Sequence, residues 1–513
     1  MDWLRAQAIS SPEQTALVWI DPAENSHSTS ARQSWNYRTL DQEVDRLASN
    51  LFAIGVRPDQ HVAALLRSSP QMVFLVHALA RLEAVFVPLN TRLTIDELTW
   101  QVRQADCALL IHSPTTQPTA LQIKSQDLRL LNLDDLPSSP PVRDDQPFSP
   151  PFKEGLGVSS LECTQAIIFT SGTTGQPKGA QLTFGNHFWN ATASAYRLGV
   201  DPSDRWLATM PLYHVGGLAM IFRSCLYGTT LVLQDGFDPG AVLASIENDG
   251  ITQISLVPTM LHRLLEIPSA AEKLAHLRYI LLGGAAAPAT LVERGLAAGL
   301  NLALTYGLTE TASQIVTAAP DQTRRKPGSV GKPLLFCQAR ILDESGRILS
   351  DGQTLPAGQI GQIAVSGPIL MKGYYGQPDR EGELLTGDLG YLDEEGDLWV
   401  VQRRVDLIVS GGENVYPAEV EALLLAHPGV ESACVVGIAD PEWGQQVAAA
   451  VVLRPGAQVS AEGLMAFCRQ RLAGYKAPRR VLFMNQLPQT ESGKVIRQKV
   501  YDLFEAAIPD RAD

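Results

Sequence analysis

Apolar runs with the character of β-strands alternate with helical segments between residues 15 and 304, and this alternation restricts the fold more than any other feature of the sequence. The runs at 62–66 and 279–282 are short, continuous and rich in Val, Ile and Leu, which is typical of buried strands. Between such runs, the segment 40–54 keeps its apolar residues at helical spacing. Strands that alternate with helices form parallel sheets covered by helical layers. We therefore predict a large domain of layered α/β sheets.

The chain changes character twice after this region. From Gly328, short β-like runs separated by turn residues predict a strongly bent sheet or a small β-barrel that completes the first domain. Beyond Arg403, a compact stretch of helices and strands predicts a smaller α+β domain. We therefore predict an N-terminal domain at 1–402 and a mobile C-terminal domain at 403–513. The Pro- and Ser-rich stretch at 113–159 is assigned no chemistry.

Charge and cysteine content restrict the function. The formal net charge is −13 and there is no basic block, which argues against nucleic acid or an anionic membrane surface as partner. The six cysteines lack the paired spacing of a zinc site or a disulfide framework. No signal peptide and no uninterrupted apolar span is recognisable, so we expect a cytoplasmic protein without an integral membrane segment. The oligomeric state is not decided by the sequence, and a homo-oligomer stays open.

A glycine- and hydroxyl-rich loop at 170–179 reads Thr-Ser-Gly-Thr-Thr-Gly-Gln-Pro-Lys-Gly. Glycines let a backbone approach a ligand closely, hydroxyl groups donate hydrogen bonds to oxyanions, and Lys178 adds a positive charge. The Walker loop is excluded, because it needs a Gly-Lys pair that opens a helix, whereas here Pro177 precedes Lys178. The composition therefore predicts a phosphate-binding loop of another kind. The alternative is a flexible surface loop.

Four further motifs follow in the chain, and each of them alone could be a simple turn or hinge. They are Leu-Leu-Gly-Gly-Ala-Ala-Ala-Pro at 281–288, Tyr-Gly-Leu-Thr-Glu-Thr at 306–311, Thr-Gly-Asp at 386–388, and Gln-Arg-Arg-Val-Asp at 402–406 with its continuation Gly-Gly-Glu-Asn-Val-Tyr-Pro at 411–417. Small residues after a strand let a flat ring lie against the backbone, and an Asp after Gly can accept hydrogen bonds from ribose hydroxyls. The second motif follows a strand predicted at 301–304 and offers an aromatic face, a hydroxyl and a carboxylate together.

With these motifs in this order, the chain resembles the superfamily of acyl-CoA synthetases, firefly luciferase and peptide-synthetase adenylation domains over nearly its whole length. The resemblance implies an AMP-forming acid–thiol ligase that uses ATP, Mg²⁺ and coenzyme A. In such enzymes a carboxylic acid is first converted with ATP to an acyl-adenylate, and the thiol of coenzyme A then displaces AMP. The implied partners are therefore small molecules.

The resemblance also implies roles for individual residues. Lys494 matches the lysine that bridges carboxylate and α-phosphate during adenylation, and Glu310, beside the catalytic candidate Thr309, would hold Mg²⁺. The residues implied for the phosphates of ATP are Thr170, Ser171, Gly172, Thr173, Thr174, Gly175 and Lys178. Those implied for adenine are Gly284, Ala285, Ala286, Tyr306 and Gly307. Asp388 and Arg403 are implied for the ribose. Gly411 and Gly412 would approach the pantetheine channel. The C-terminal domain would pivot near 403–406, where Val405 replaces the Asp or Lys common in relatives.

The acid substrate depends on a helix-like run at 215–226, which is apolar except for Arg223 and Ser224. A buried arginine needs an anion or strong acceptors, so Arg223 predicts a second carboxylate on the substrate. The alternatives are an arginine that extends to the surface and one that pairs with a structural carboxylate.

The sequence at 211–218 and 312–314 resembles the o-succinylbenzoate–CoA ligases of menaquinone and phylloquinone synthesis, whose acid is an aromatic dicarboxylate. The resemblance implies that His214 lines the acyl pocket with catalytic effect, and that Arg223, Gly284 and Ser313 contact the acid. A ligase for another aryl or fatty acid, and a nucleotide-binding regulator without turnover, are the remaining alternatives.

Overall fold

The computed structural model describes residues 2–21, 32–137, 161–171, 177–343, 355–402, 407–488 and 495–506. The chain divides into two compact units. The first unit consists of Met1–Thr91, Thr99–Ile168 and Gly179–Val401, and the second consists of Arg92–Leu98, Phe169–Lys178 and Gln402–Asp513. The predicted pivot at 403–406 lies outside the described residues.

The elements up to residue 200 alternate as the sequence predicts. In chain order they are α1 (Trp3–Ser10), β1 (Thr15–Ile20), β2 (Arg32–Asn36), α2 (Tyr37–Ala53), β3 (His61–Leu65), α3 (Pro70–Arg81), β4 (Val85–Pro88), α4 (Ile95–Gln104), β5 (Leu109–His112), α5 (Gln117–Ala120), β6 (Arg129–Asn132), β7 (Thr164–Ser171), β8 (Pro177–Thr183) and α6 (Phe184–Leu198). A 3₁₀ turn covers Leu133–Asp135.

The alternation continues to residue 325 and then gives way to strands. The elements are β9 (Arg205–Ala208), α7 (Val215–Tyr227), β10 (Thr230–Gln234), α8 (Pro239–Asn248), β11 (Gln253–Leu256), α9 (Pro258–Leu265), α10 (Ala270–Ala275), β12 (Tyr279–Leu282), α11 (Ala289–Ala297), β13 (Leu302–Leu308), a 3₁₀ turn (Thr309–Thr311), β14 (Ser313–Thr317), α12 (Pro320–Arg325), β15 (Lys332–Pro333), β16 (Gln338–Leu342), β17 (Gly361–Ser366), β18 (Gly373–Tyr374), β19 (Leu384–Leu392) and β20 (Leu398–Gln402).

Two large sheets organise the first unit. One has nine strands in the order β15-β14-β13-β12-β11-β9-β10-β1-β2, with parallel pairing from β13 to β1, and the other has seven in the order β18-β8-β7-β4-β3-β5-β6. Helix α3 is buried at almost every position, because it lies in the layer of helices and strands around Leu75, Val76 and Phe222. The layered α/β prediction is confirmed.

The region predicted as a bent sheet or small barrel is a four-stranded sheet in the order β16-β17-β19-β20. Its apolar side chains Ile341, Ile363 and Val365 pack with Tyr306 and Ile315 in one cluster. The sheet thus covers the end of β13 and β14, where the second sequence motif is located.

The second unit has its own sheet and core. Its elements are β21 (Ile408–Ser410), β22 (Glu413–Val415), α13 (Pro417–Leu425), β23 (Val430–Asp440), β24 (Gly444–Leu453), α14 (Ala461–Arg469), β25 (Arg480–Phe483) and α15 (Arg497–Ala506). The strand order is β22-β21-β24-β23, with β25 parallel to β24. Two clusters of buried apolar residues lie among these elements, which fits the predicted α+β class.

Candidate active site

The hairpin β13–β14 carries the second motif and fixes its shape. The prediction that Tyr306 and Gly307 follow the strand is wrong, because β13 continues to Leu308 and pairs antiparallel with β14. A Cβ atom on Gly307 would lie 1.7 Å from the backbone oxygen of Ser313, so only glycine fits this close crossing. Ala312 and Ser313 have φ values of 51° and 112°, a conformation that most side chains avoid.

Tyr306 and Asp388 meet in the first unit. Tyr306 is buried, and its hydroxyl group donates to Oδ2 of Asp388 over 2.6 Å. Asp388 is fixed in turn through its backbone N–H, which donates to Oγ1 of Thr386, while Thr386 donates to the backbone oxygen of Ile363. The adenine and ribose candidates of two separate motifs, 82 residues apart, are therefore in direct contact.

Glu310 lies in the 3₁₀ turn after β13, with Thr309 beside it. Its Oε1 accepts a hydrogen bond of 2.8 Å from the hydroxyl group of Tyr374, and its backbone oxygen accepts from the N–H of Met371. The described residues contain no group of three or more His, Cys, Asp and Glu side chains that could hold a metal. A lone, half-buried carboxylate nevertheless suits Mg²⁺, which commonly binds one or two carboxylates together with substrate phosphates.

The small-residue strip follows β12 in the same sheet as β13. Gly284 has a φ of 78° and is exposed, Ala285 is half-buried and Ala286 is exposed. At Gly283, a Cβ atom would lie 2.5 Å from a methyl group of Thr305, so the strip packs closely against β13. The strip therefore presents partly exposed backbone and small side chains.

His214 occupies the N-cap position of α7, and its ring lies 4.6 Å from that of Tyr213. A Cβ atom on Gly217 would lie 2.2 Å from the backbone oxygen of Pro211. Glycine at position 217 thus allows the first turn of α7 to pack directly against the backbone of the preceding segment 211–214. This places half-buried His214 at one end of the helix and Arg223 in its third turn.

Arg223 is 1% exposed, which excludes the alternative of an arginine that extends to the surface. Its Nη2 donates to Oδ1 of Asn190, its guanidinium lies 5.8 Å from the ring of Trp206, and its Nε has no hydrogen-bond partner among the residues that the structure describes. Burial lowers the pKa of Arg223, and no carboxylate of the described ranges forms an ion pair with it. The structure therefore holds a buried cation whose hydrogen-bond partner is neutral.

Asn190 is the residue that the sequence did not single out. It lies on α6, is 1% exposed, and donates through Nδ2 to the backbone oxygens of Thr311 and Gln314. A buried Asn in a helix interior is unfavourable by propensity, and that was its only signal in the sequence. Asn190 thus connects Arg223 to the backbone beside Ser313, which is half-buried.

The second unit holds the remaining predicted residues. Thr170 donates to the backbone oxygen of Lys178 across β7 and β8, which flank the phosphate loop. Gly411 and Gly412 have φ values of 60° and 84°, and a Cβ atom on Gly411 would lie 2.6 Å from the ring of Trp443. The residues that lie outside the described part of the chain are Gly172, Thr173, Thr174, Gly175, Arg403 and Lys494, as does the side chain of Ser171.

Comparison with known proteins gives matches over almost the whole chain. Residues 4–375 match the family model "AMP-binding enzyme", and residues 419–494 match "AMP-binding enzyme C-terminal domain". The 2-succinylbenzoate–CoA ligase of Bacillus cereus (strain Q1) is 38% identical to the chain, with 98% of each sequence covered.

Solved structures of o-succinylbenzoate CoA synthetase from Bacillus subtilis are also similar. The double mutant bound with a product analogue has a TM-score of 0.84, with 37% identity and 98% of each chain covered. The complex with the acyl-adenylate intermediate has a TM-score of 0.68 at 37% identity, with 97% of each chain covered. The complex with ATP and magnesium has the same TM-score and identity, with 97% of this chain and 98% of that chain covered.

Proposed function

Because the chain belongs to the AMP-binding enzyme family, we propose that it is an ATP-dependent, AMP-forming acid–CoA ligase whose acid is 2-succinylbenzoate. Full-length similarity to 2-succinylbenzoate–CoA ligases supports the reaction, and the ligands of the related structures support ATP, Mg²⁺ and the acyl-adenylate. The thioester product would serve menaquinone or phylloquinone synthesis. Within the described ranges, no helix is both long and apolar enough to cross a membrane.

The reaction has to overcome repulsion between two anions. A carboxylate oxygen of the acid attacks the α-phosphorus of ATP, and pyrophosphate leaves with the electrons of the broken P–O bond. The thiolate of coenzyme A then attacks the acyl carbon, and AMP leaves. Positive groups that face both anions are needed in the first step. Bound Mg²⁺ would supply such charge at the phosphates, and Glu310 is the residue that would hold it.

The remaining roles follow the order of the motifs. Lys494 would bridge the acid carboxylate and the α-phosphate, and residues 170–178 would bind the outer phosphates. Tyr306 and the strip at 284–286 would hold adenine, and Asp388 with Arg403 would hold the ribose. The hydrogen bond from Tyr306 to Asp388 supports a shared nucleoside site, because it fixes both side chains in one place.

Arg223 carries the assignment of the substrate. A buried cation that pairs with no carboxylate of the described residues is strongly unfavourable, and burial shifts the equilibrium of Arg223 toward the neutral form. The ring carboxylate of 2-succinylbenzoate would supply the missing anion while the succinyl carboxylate is adenylated. His214, Gly284 and Ser313 would line the path between the two carboxylates, and His214 with Thr309 would lie beside the reacting group.

An acid panel tests this proposal. Pyrophosphate release is measured with 2-succinylbenzoate, with 4-oxo-4-phenylbutanoate, which lacks only the ring carboxylate, and with aryl and fatty acids. We expect 2-succinylbenzoate to give the highest kcat/KM, and AMP and thioester to accumulate when coenzyme A is added. A better aryl or fatty acid would contradict the substrate, and no AMP with any acid would favour the regulatory alternative.

The variant Arg223→Met separates the role of the charge from the role of the side-chain volume. Loss of a buried ion pair is worth roughly 3–5 kcal/mol, so we expect KM for 2-succinylbenzoate to rise by at least about 100-fold. The KM for 4-oxo-4-phenylbutanoate should stay within about threefold. Arg263→Met, at an exposed position on α9, is the control. An equal rise for both acids would show that Arg223 is structural.

A further inference from the structure

The side chain of Asn190 has a fixed orientation in the first unit. Both backbone oxygens that it contacts, those of Thr311 and Gln314, can only accept hydrogen bonds, at 3.2 and 2.8 Å from Nδ2. The amide nitrogen must therefore face them. The amide oxygen then points to the guanidinium of Arg223, with Nη2 at 2.5 Å from Oδ1. The amide thus sets the position of the guanidinium relative to the 311–314 backbone.

The other polar groups near Arg223 are neutral as well. His187 lies one turn before Asn190 on α6 and is 2% exposed, and its Nε2 has no hydrogen-bond partner in the described part of the chain. Burial and the charge of Arg223 lower the pKa of His187 to about 3, so the imidazole is uncharged at neutral pH. The hydroxyl groups of Tyr227 and Tyr279 are uncharged at neutral pH as well, and burial raises the pKa of both still further. The described surroundings of the guanidinium therefore do not neutralise its charge.

An aspartate at position 190 would have nearly the same shape as Asn190 and would form an ion pair with Arg223, but unlike the amide it could not donate to the backbone oxygens of Thr311 and Gln314. Such an internal pair would lower the cost of burying the guanidinium, and it would also consume its charge. An amide keeps the hydrogen bond and leaves the charge in place. The neutral partner is therefore consistent with an anion that arrives from outside the chain.

We propose that Asn190 is a positioning residue that determines specificity: it orients Arg223 through a neutral hydrogen bond, so that the full positive charge selects acids with a second carboxylate. This inference rests on the proposed function, because it names the second carboxylate as the anion. It predicts that the charge of residue 190, more than its shape, decides between dicarboxylic and monocarboxylic acids. Asn190 itself does not contact the reacting atoms.

The test is the variant Asn190→Asp, with kcat and KM measured for 2-succinylbenzoate and for 4-oxo-4-phenylbutanoate. The new carboxylate pairs with Arg223 and competes with that of the substrate. We expect KM for 2-succinylbenzoate to rise by about 30- to 100-fold, as for loss of a buried charge pair, and kcat to change little. The KM for 4-oxo-4-phenylbutanoate should stay within about threefold, so that the preference for the dicarboxylic acid falls by the same factor.

Two further variants complete the experiment. Asn248→Asp makes the same chemical change at an exposed position of α8 and should alter neither KM. Asn190→Leu loses the same two hydrogen bonds to the 311–314 backbone as Asn190→Asp, but it leaves the charge of Arg223 unpaired, so it should raise KM for 2-succinylbenzoate by only about tenfold. If Asn190→Asp does not fold, a rise of about 100-fold or more in Asn190→Leu overturns the proposal. A larger effect of Leu than of Asp would overturn the proposal.

The outcomes separate this inference from the function on which it rests. If the unaltered protein does not adenylate 2-succinylbenzoate, the proposed function fails and the inference fails with it. If it does, and Asn190→Asp raises KM equally for both acids, only the inference is contradicted. Asn190 would then be a structural residue.

Discussion

His77 and His187 are buried imidazoles of the first unit, and both must stay neutral for the fold to be stable. Burial lowers the pKa of His77 to about 4, although the nearby Asp2 opposes this shift, and burial together with the charge of Arg223 lowers the pKa of His187 to about 3. The unfolded chain binds these protons near pH 6.5, whereas the native chain does not until the pH is far lower. Stability is therefore complete above pH 6.5 and decreases as the pH falls, by about 2 kcal/mol for each histidine at pH 5.

The variants His77→Gln and His187→Gln test this pH dependence. Glutamine does not titrate, so each variant should reduce the decrease in the urea midpoint between pH 7.5 and pH 5, even if the substitution destabilises the protein at every pH. The exposed His276 provides the matched control, His276→Gln. An unchanged slope in the variants of the buried residues would mean that these histidines are charged in the native state.

The sequence predicts the role of a residue only where that residue belongs to a recognisable motif or pattern. The sequence identifies Arg223 as the charged exception in an apolar helix, but it leaves three alternatives for the surroundings of the guanidinium. The surroundings of the Arg223 guanidinium depend on Asn190, which lies 33 residues earlier on another helix. No local pattern reports such a contact, because the packing of α6 on α7 is set by the whole layer of helices.

The hairpin β13–β14 depends on the close approach of its two strands at Gly307. In Gly307→Ala, the new Cβ atom would meet the backbone of Ser313 and Gln314, at 1.7 Å from the Ser313 oxygen. Backbone atoms cannot move aside without breaking the strand pairing, so we expect a loss of about 1–3 kcal/mol or more. Displacement of Tyr306 and Glu310 by about 1 Å should lower adenylation by about 100-fold.

The measurements for Gly307→Ala are the thermal midpoint and the rate of pyrophosphate release. Gly474→Ala is the control, because a Cβ atom at Gly474 meets nothing within 4 Å. Normal activity of Gly307→Ala would show that the hairpin can open at this point without effect on the site.

The error in β13 shows why element boundaries are harder to predict than elements. The sequence predicts a strand at 301–304, with the motif that begins at Tyr306 after it. It continues because β14 supplies an antiparallel partner, with Thr305 opposite Thr317 and Tyr306 opposite Val316. By contrast, β12 was predicted at its observed bounds, since parallel neighbours on both sides demand a continuous apolar run.

At the scale of the whole molecule, the order of patterns along the chain predicts more of the fold than any single region does. Alternating strands and helices predicted the layered sheets of the first unit, and the later change of pattern predicted a separate α+β core. The sequence did not predict that Arg92–Leu98 belongs to the second compact unit. There Glu97 accepts hydrogen bonds from Lys476 and from the backbone of Ala473, a contact over more than 370 residues that leaves no sequence pattern.

The division of the reaction into two steps gives the prediction that concerns the molecule as a whole. Lys494 is proposed to neutralise charge only while two anions approach each other, and thioester formation from a finished adenylate involves no such encounter. Lys494→Ala should therefore lose adenylation by about 100-fold or more, as expected for removal of a group that stabilises developing charge. It should still convert preformed acyl-adenylate and coenzyme A to thioester at a rate within about threefold of the unaltered protein.

The two half-reactions are measured separately, by pyrophosphate release from ATP and by thioester formation from synthetic adenylate. Lys499→Ala is the matched control, because Lys499 is an exposed lysine on α15, close in sequence to Lys494. If Lys494→Ala slows both half-reactions equally while Lys499→Ala slows neither, Lys494 acts through the folding or placement of the C-terminal residues. If only adenylation is lost, then the charge of Lys494 serves the first step alone, because the thiolate attack requires no cation between two anions.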